Sequence, residues 1–207
     1  MFTDHTIRHM DALWLVAEKI LTPSEIDDLS AAEAFFLAAG FYLHDIGMSY
    51  AATAEGRGFL EGTADYASVL SQAPSDADPA LVKSNALAYA IRVHHAHIAE
   101  EMATKPIPGT TDYLLEPRAI REQFGSHCGK VAASHHWNIE RVDSELGVKG
   151  NVPLADNRTA NLGFVACALR LIDYAHINRE RASPMERCLR PGLSAESAMH
   201  WDAQQNI

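Results

Sequence analysis

Apolar residues recur along this chain at helical spacing, and alternating strand-like runs are scarce. The first stretch, from about Thr6 to Leu21, sets His9, Leu13, Val16 and Ile20 at i, i+4, i+7 and i+11. It predicts a helix whose inward stripe contains a histidine, with His5 one turn earlier and within reach of the same region. Thr22-Pro23-Ser24-Glu25 and Ser30-Ala31-Ala32-Glu33 read as capping boxes, the first with proline at the opening helical position. The second box starts the helix that carries Phe35, Phe36, Ala39 and Leu43 to His44-Asp45, and Gly47 reads as its terminator. Residues 52–65, with Gly56, Gly58 and Gly62, read as a loop or broken helix placed to form a pocket rim, and 72–79 as a surface turn.

Ser84 reads as the cap of a long helix reaching about Thr104, with Leu87, Ile91, Ile98 and Met102 on its apolar face. His94 and His95 flank the midline of that face, and His97 lies off it. Three prolines and a glycine make 105–117 a connection. A further helical stretch from about Arg118 leads through Gly125 and Gly129 to Ser134-His135-His136-Trp137. There Val131, His135, Ile139 and Val142 share a face, which turns His135 inward and favours it over His136. Residues 143–161 read as a loop. From Leu162 to Asn178 the stripe is Leu162, Ala166, Leu169, Asp173 and Ile177, so a carboxylate sits in an apolar row. Beyond Ser183 the chain turns irregular around Pro184, Pro191 and Gly192, before a short segment near 195–204. The expected architecture is all-α, a single helical bundle over residues 1–183. Residues 184–207 are expected to be an extension leading into further sequence.

With 207 residues and 47% hydrophobic content the chain can bury a substantial core. A formal net charge of −10 argues against a general nucleic-acid or anionic-membrane binder. Cys128, Cys167 and Cys188 have neither metal-finger spacing nor the even count of a disulfide framework. No signal peptide opens the chain and no stretch approaches the ~20 apolar residues of a membrane helix. A cytoplasmic location, with no membrane partner, is the expectation.

Eleven histidines exceed what such a length needs. The inward polar positions are His9, His44-Asp45, His94 or His95, His135 and Asp173, spread over four or five helices. Buried carboxylates require partners, and a shared cation supplies one. One ion would be satisfied by His9, His44, Asp45 and Asp173. The extra histidines would hold a second, with Asp45 bridging. Imidazole nitrogen and carboxylate oxygen suit Mn, Mg, Fe, Ni, Co or Zn. Two ions about 3.5–4 Å apart can position and ionise a water and clamp a phosphoryl oxygen. Arg92, one turn before His95, and Arg179 or Arg181 beyond Asp173 are candidates to meet a phosphate. Taken singly, each residue has a plainer role: Asp173 paired with Arg170 or Arg179, or the histidine doublets on the surface. The ordered set carries the argument.

The order H…HD…HH…H…D runs through Asp4-His5-Thr6-Ile7-Arg8-His9, Leu43-His44-Asp45-Ile46-Gly47-Met48, Arg92-Val93-His94-His95 and Leu169-Arg170-Leu171-Ile172-Asp173. On an all-helical chain it resembles the HD-domain metal-dependent phosphohydrolase superfamily. In detail it is similar to the HD-type domains at the start of larger bacterial proteins, some with an Hsp90-like ATPase module further on. The resemblance implies a helical bundle with metal at its centre. It implies His9, His44, Asp45 and Asp173 as the basic ligand set, and His94, His95 and His135 as the additional histidines of two-metal members. The expected activity is hydrolysis of a small-molecule phosphate ester, a nucleotide or phosphodiester, with Asp45, His94, His95 and Arg92 as the catalytic set. Met199-His200-Trp201 would lead onward to an ATPase-like partner region. The chain lacks the acidic residue that many relatives place after the final aspartate, the glycine-tyrosine-proline signature of cyclic-di-GMP phosphodiesterases, and an alarmone-type synthetase half. The substrate therefore stays open. Two rival readings stand beside hydrolysis: a two-iron oxygenase on the same fold, and a regulatory domain that binds a nucleotide without turnover.

Overall fold

A computed structural model describes residues 5–147, 151–154, 158–188 and 195–205. Asp4 of the opening motif, and Pro191 and Gly192 of the tail, lie outside the described residues. Helix α1 (Ile7–Ile20) begins where the Thr6 hydroxyl accepts the Arg8 amide, and it buries His9, Met10, Leu13 and Ala17. Both capping boxes form, opening α2 (Pro23–Asp27) and α3 (Ala31–Leu43). Glu33 has a further task. One carboxylate oxygen closes the Ser30 box and the other accepts the Asn161 amide at 2.7 Å, which ties the start of α3 to the residue just before Leu162.

After α3 the backbone tightens into a 3-10 turn over Ile46–Ala52, followed by α4 (Ala54–Glu61) and α5 (Ala64–Ser71). The region read as loop or broken helix is thus two short helices, each opened by a threonine cap, Thr53 and Thr63. Gly47 does not release the chain into coil. Helix α6 (Pro79–Met102) starts five residues before Ser84, because Asp78 accepts the Ala80 amide at 2.9 Å and Pro79 takes a first-turn position that needs no amide hydrogen. Then come α7 (Arg118–Ala133), a 3-10 turn at Ser134–His136, and α8 (Ile139–Leu146). The segment read as loop from residue 143 therefore begins inside a helix. The only sheet among the described residues pairs β1 (Val152–Pro153) with β2 (Thr159–Ala160) antiparallel, Val152 opposite Ala160. Helix α9 (Leu162–Ala175) stops three residues short of Asn178. A 3-10 turn at Arg179–Ala182, α10 (Pro184–Cys188) and α11 (Ala195–Gln205) complete the fold. Two side chains expected inward, Ile139 and Ile177, are exposed.

The all-α bundle has two apolar clusters. The larger joins α1, α3, α7, α8 and α9 around Leu13, Phe36, Phe41, Val131 and Leu169. The smaller joins α4, α5 and α6 around Leu60, Tyr66, Ala90 and Ile98. His44-Asp45 is the covalent joint between them, with Leu43 in the first cluster and Ile46 packed on the second. Helix α6 is drawn to this joint by a close backbone approach: a methyl group at Gly47 would stand 2.1 Å from the His95 carbonyl oxygen. Only glycine allows that contact. Helix α11 rests against the 3-10 turn at Arg179–Ala182, and its Trp201 is fully buried.

Gly47→Ala is therefore expected to lower the melting temperature and to displace His95. Gly58→Ala, in the middle of α4 with open space around it, is expected to stabilise by about 0.5–1 kcal/mol. Thermal denaturation of the two variants checks the pair.

Candidate metal centre

Three histidines are prepared in the same way. The Nδ1–H groups of His44, His95 and His135 donate to the carbonyl oxygens of Phe41, Arg92 and Ala132, at 3.1, 2.8 and 2.6 Å. Each acceptor lies three residues earlier, where a turn of helix leaves it close to the ring. With Nδ1–H engaged in this way, each ring turns Nε2 towards the centre. His9 gets there differently. Its Nδ1 lies 2.8 Å from Nδ1 of His176, with the two rings stacked, so one proton is shared across that contact and His9 Nε2 faces inward.

Asp45 stands at the middle. Its backbone, at φ −101° and ψ 4°, lies in the sparsely used bridge region between helix and strand. Oδ2 approaches His44 Nε2 at 3.1 Å, His9 Nε2 at 3.6 Å and His5 Nε2 at 3.8 Å. Oδ1 points the other way, to His95 Nε2 at 3.6 Å and His135 Nε2 at 3.8 Å. From α9, Asp173 Oδ1 closes the first side at 3.3 Å from His9 and 3.6 Å from His44. Two groups result that could each hold an ion: His9, His44 and Asp173 on one side, and His95, His135 and His136 on the other.

The donor set fits a cation. His95 and His135 bring Nε2 within 3.0 Å of Nε2, and both rings already carry their proton on the far nitrogen. Two lone pairs that face each other repel unless a positive species lies between or beside them. A proton is a poor candidate, because burial pushes His95 down to about 4, and burial with the neighbouring His44 charge pushes His135 down to about 3. The first group is tuned in the opposite sense. Burial disfavours a charged His44, but the carboxylates of Asp45 and Asp173 outweigh it and raise its pKa to about 10. Burial likewise opposes ionisation of Asp45 and Asp173, and their histidine neighbours override it and hold both well below the usual carboxylate range. His44 thus carries a proton that an ion must displace.

Of the residues picked out from the sequence, the fold gathers His9, His44, Asp45, His95, His135 and Asp173 into one cluster. His94 is not among them. One residue from His95 on the same helix, it is rotated about 100° away and meets Asp65 on α5 at 2.9 Å, partly exposed. Arg170 does not pair with Asp173 either. Its guanidinium donates to the carbonyls of Ser134 and Trp137 and so clasps the turn that presents His135 and His136. That turn is why His136 joins the cluster. A 3-10 turn holds successive side chains differently from the α-helix assumed for the sequence pattern, and the His136 ring packs on His95 at 4.5 Å between centroids. His176 adjoins the cluster through His9, and the signal for it in the sequence is its position three residues after Asp173. The cluster floors a cleft of about 470 Å³. Arg92 and Arg181 stand on its walls, and α11 contributes Ser197, His200 and Trp201. Arg179 faces elsewhere.

A family model described as HD-CE matches residues 1–207. No curated protein and no solved structure matches the chain.

Two outcomes test the centre. His95→Ala should lose one equivalent of bound metal while His94→Ala keeps the full complement, as elemental analysis would read. Ion entry beside His44 should release a proton near neutral pH, so affinity there should fall about tenfold per pH unit as pH drops below about 10. The His95/His135 side, already unprotonated, should be nearly insensitive over the same range. Calorimetry in buffers of different ionisation enthalpy separates the two.

Proposed function

The chain belongs to the HD-CE family of HD domains, and from that premise we propose that it is a metal-dependent phosphohydrolase acting on a nucleotide or another small phosphate ester. One observation carries this reading: a single buried carboxylate, Asp45, aims its two oxygens at two separate histidine groups, at the floor of a cleft walled by Arg92 and Arg181.

Divalent ions bound there would supply Lewis acidity and bring the pKa of a water towards neutrality. The chain's own residues do the rest. Asp45 fixes the spacing between the two groups. Asp173 and the proton-sharing His9–His176 pair orient the first side, and the backbone carbonyls of Arg92 and Ala132 orient the second. Arg92 and Arg181 offer planar guanidinium groups suited to phosphoryl oxygens in a chain that is otherwise acidic. Arg181 is pre-set by donating to the His176 carbonyl at 3.0 Å, and Arg92 by its contact with the Ser197 hydroxyl at 3.4 Å. Helix α11 covers the far wall, where the exposed His200 would meet the part of the substrate beyond the phosphate.

These arginines favour an anionic substrate, and phosphate release against oxygen consumption separates hydrolysis from dioxygen chemistry. Protein supplied with Mn, Mg, Ni, Co or Fe should release phosphate from a panel of nucleotides and phosphodiesters, and Asp45→Ala should abolish both release and metal content. Arg92→Gln should retain metal and lose about 1.5–3 kcal/mol of transition-state binding, roughly 10- to 150-fold in kcat/KM. Oxygen consumption without phosphate release would overturn the proposal.

A further inference from the structure

A second cleft, of about 530 Å³, opens behind the stacked His9–His176 pair. Helix α1 provides one wall through Arg8 and Ala12, and the chain after α9 provides the other through Asn178, Arg179, Arg181 and Ser183. Three arginines converge here. Among the described residues that line the cleft, none is acidic.

That arrangement runs against the rest of the chain, whose net charge is −10. Arginine is protonated at every physiological pH, so three guanidinium groups around one concavity repel one another permanently. Several other cations are each matched with a carboxylate: Lys105 with Glu101, Arg118 with Glu122, Lys130 with Glu145 and Arg187 with Asp202. Arg8 and Arg179 sit exposed at the rim of the cleft, and their guanidinium groups make no hydrogen bond or ion pair among the described residues. Arg181, deeper and 8% exposed, is fixed by its bond to the His176 carbonyl. A held cation at depth and two uncommitted cations at the mouth make a graded positive funnel.

We infer that this cleft is a binding site for a phosphate-bearing anion, separate from the metal-centred cleft. The two uncommitted guanidinium groups of Arg8 and Arg179 already exceed what a lone carboxylate can neutralise, whereas a phosphoanhydride or a phosphorylated small molecule offers several oxygens to planar, bidentate donors. The volume falls within the range of about 300–1,000 Å³ typical of small-ligand sites. The inference does not rest on the hydrolase reading. Arg181 and His176 line both clefts, so the two sites would stand back to back.

The test uses metal-free protein, where turnover plays no part, and pyrophosphate as the probe. Calorimetric titration at fixed ionic strength should give saturable binding. Arg8→Gln/Arg179→Gln should weaken it at least tenfold. The charge-matched pair Lys19→Gln/Lys83→Gln, on exposed positions elsewhere, should change it by less than about twofold, as should Arg92→Gln in the metal-centred cleft. Absence of saturable binding would overturn the inference. So would a loss in the Arg8/Arg179 variant no larger than in the lysine pair or in Arg92→Gln, since the anion would then be held by general charge or by the other cleft. Phosphate release from nucleotides by metal-loaded protein tests the hydrolase reading independently.

Discussion

The structure depends on how one carboxylate is shared. Asp45 is buried at the joint between two apolar clusters, and each of its oxygens serves a different set of imidazoles. Alone, a buried carboxylate is among the more expensive groups a core can hold. Here the cost is offset by convergence: α1, α3, α6, α9 and the turn after α7 each end or pass at that point and bring a polar group to it. The bundle is therefore organised from its polar centre as much as from its apolar core. Gly47 allows α6 to touch the turn after Asp45, Arg170 clasps the turn that carries His135 and His136, and Glu33 binds α3 to α9. The first two of these contacts hold the backbone that presents His95, His135 and His136.

Ring orientation makes that centre one that could hold cations. Tying Nδ1 to a carbonyl three residues back costs one hydrogen bond already available in the helix end, and it leaves Nε2 as an acceptor aimed at other acceptors. Such a geometry is unfavourable for the chain by itself. On one side the conflict is relieved by a proton on His44, and on the other burial keeps the rings neutral and the conflict stands. Two halves of one cluster thus differ in how they treat protons, which gives each a distinct dependence on pH when an ion enters.

Much of this was legible in the sequence because much of it is local. Thr6, the two capping boxes and the apolar stripes of α1, α3 and α9 mark their own helices, and the inward positions of His9, His44 and Asp173 follow from periodicity. The start of α6 at Pro79 rather than near Ser84 also has a local reason, since Asp78-Pro79 has the chemistry of a helix opening as much as of a turn. The misses at the site have another origin. A helical pattern cannot choose between His94 and His95 when both flank the midline. That choice is made by the Gly47 contact on one side and by Asp65 on the other. His136 depends on α7 tightening into a 3-10 turn, and His176 on α9 ending at Ala175. The basic cleft between α1 and the Arg179–Ala182 turn joins residues some 170 positions apart, and no local pattern announces it.

The proposed function stands on Asp45 serving two ion-holding groups at once. Its most direct test is anomalous diffraction from crystals grown with Mn, recorded at the metal edge. The account predicts two peaks on opposite sides of the Asp45 carboxylate, one among His9, His44 and Asp173 and one among His95, His135 and His136. A single peak on the His9 side, or a second peak at His94 and Asp65, would contradict it.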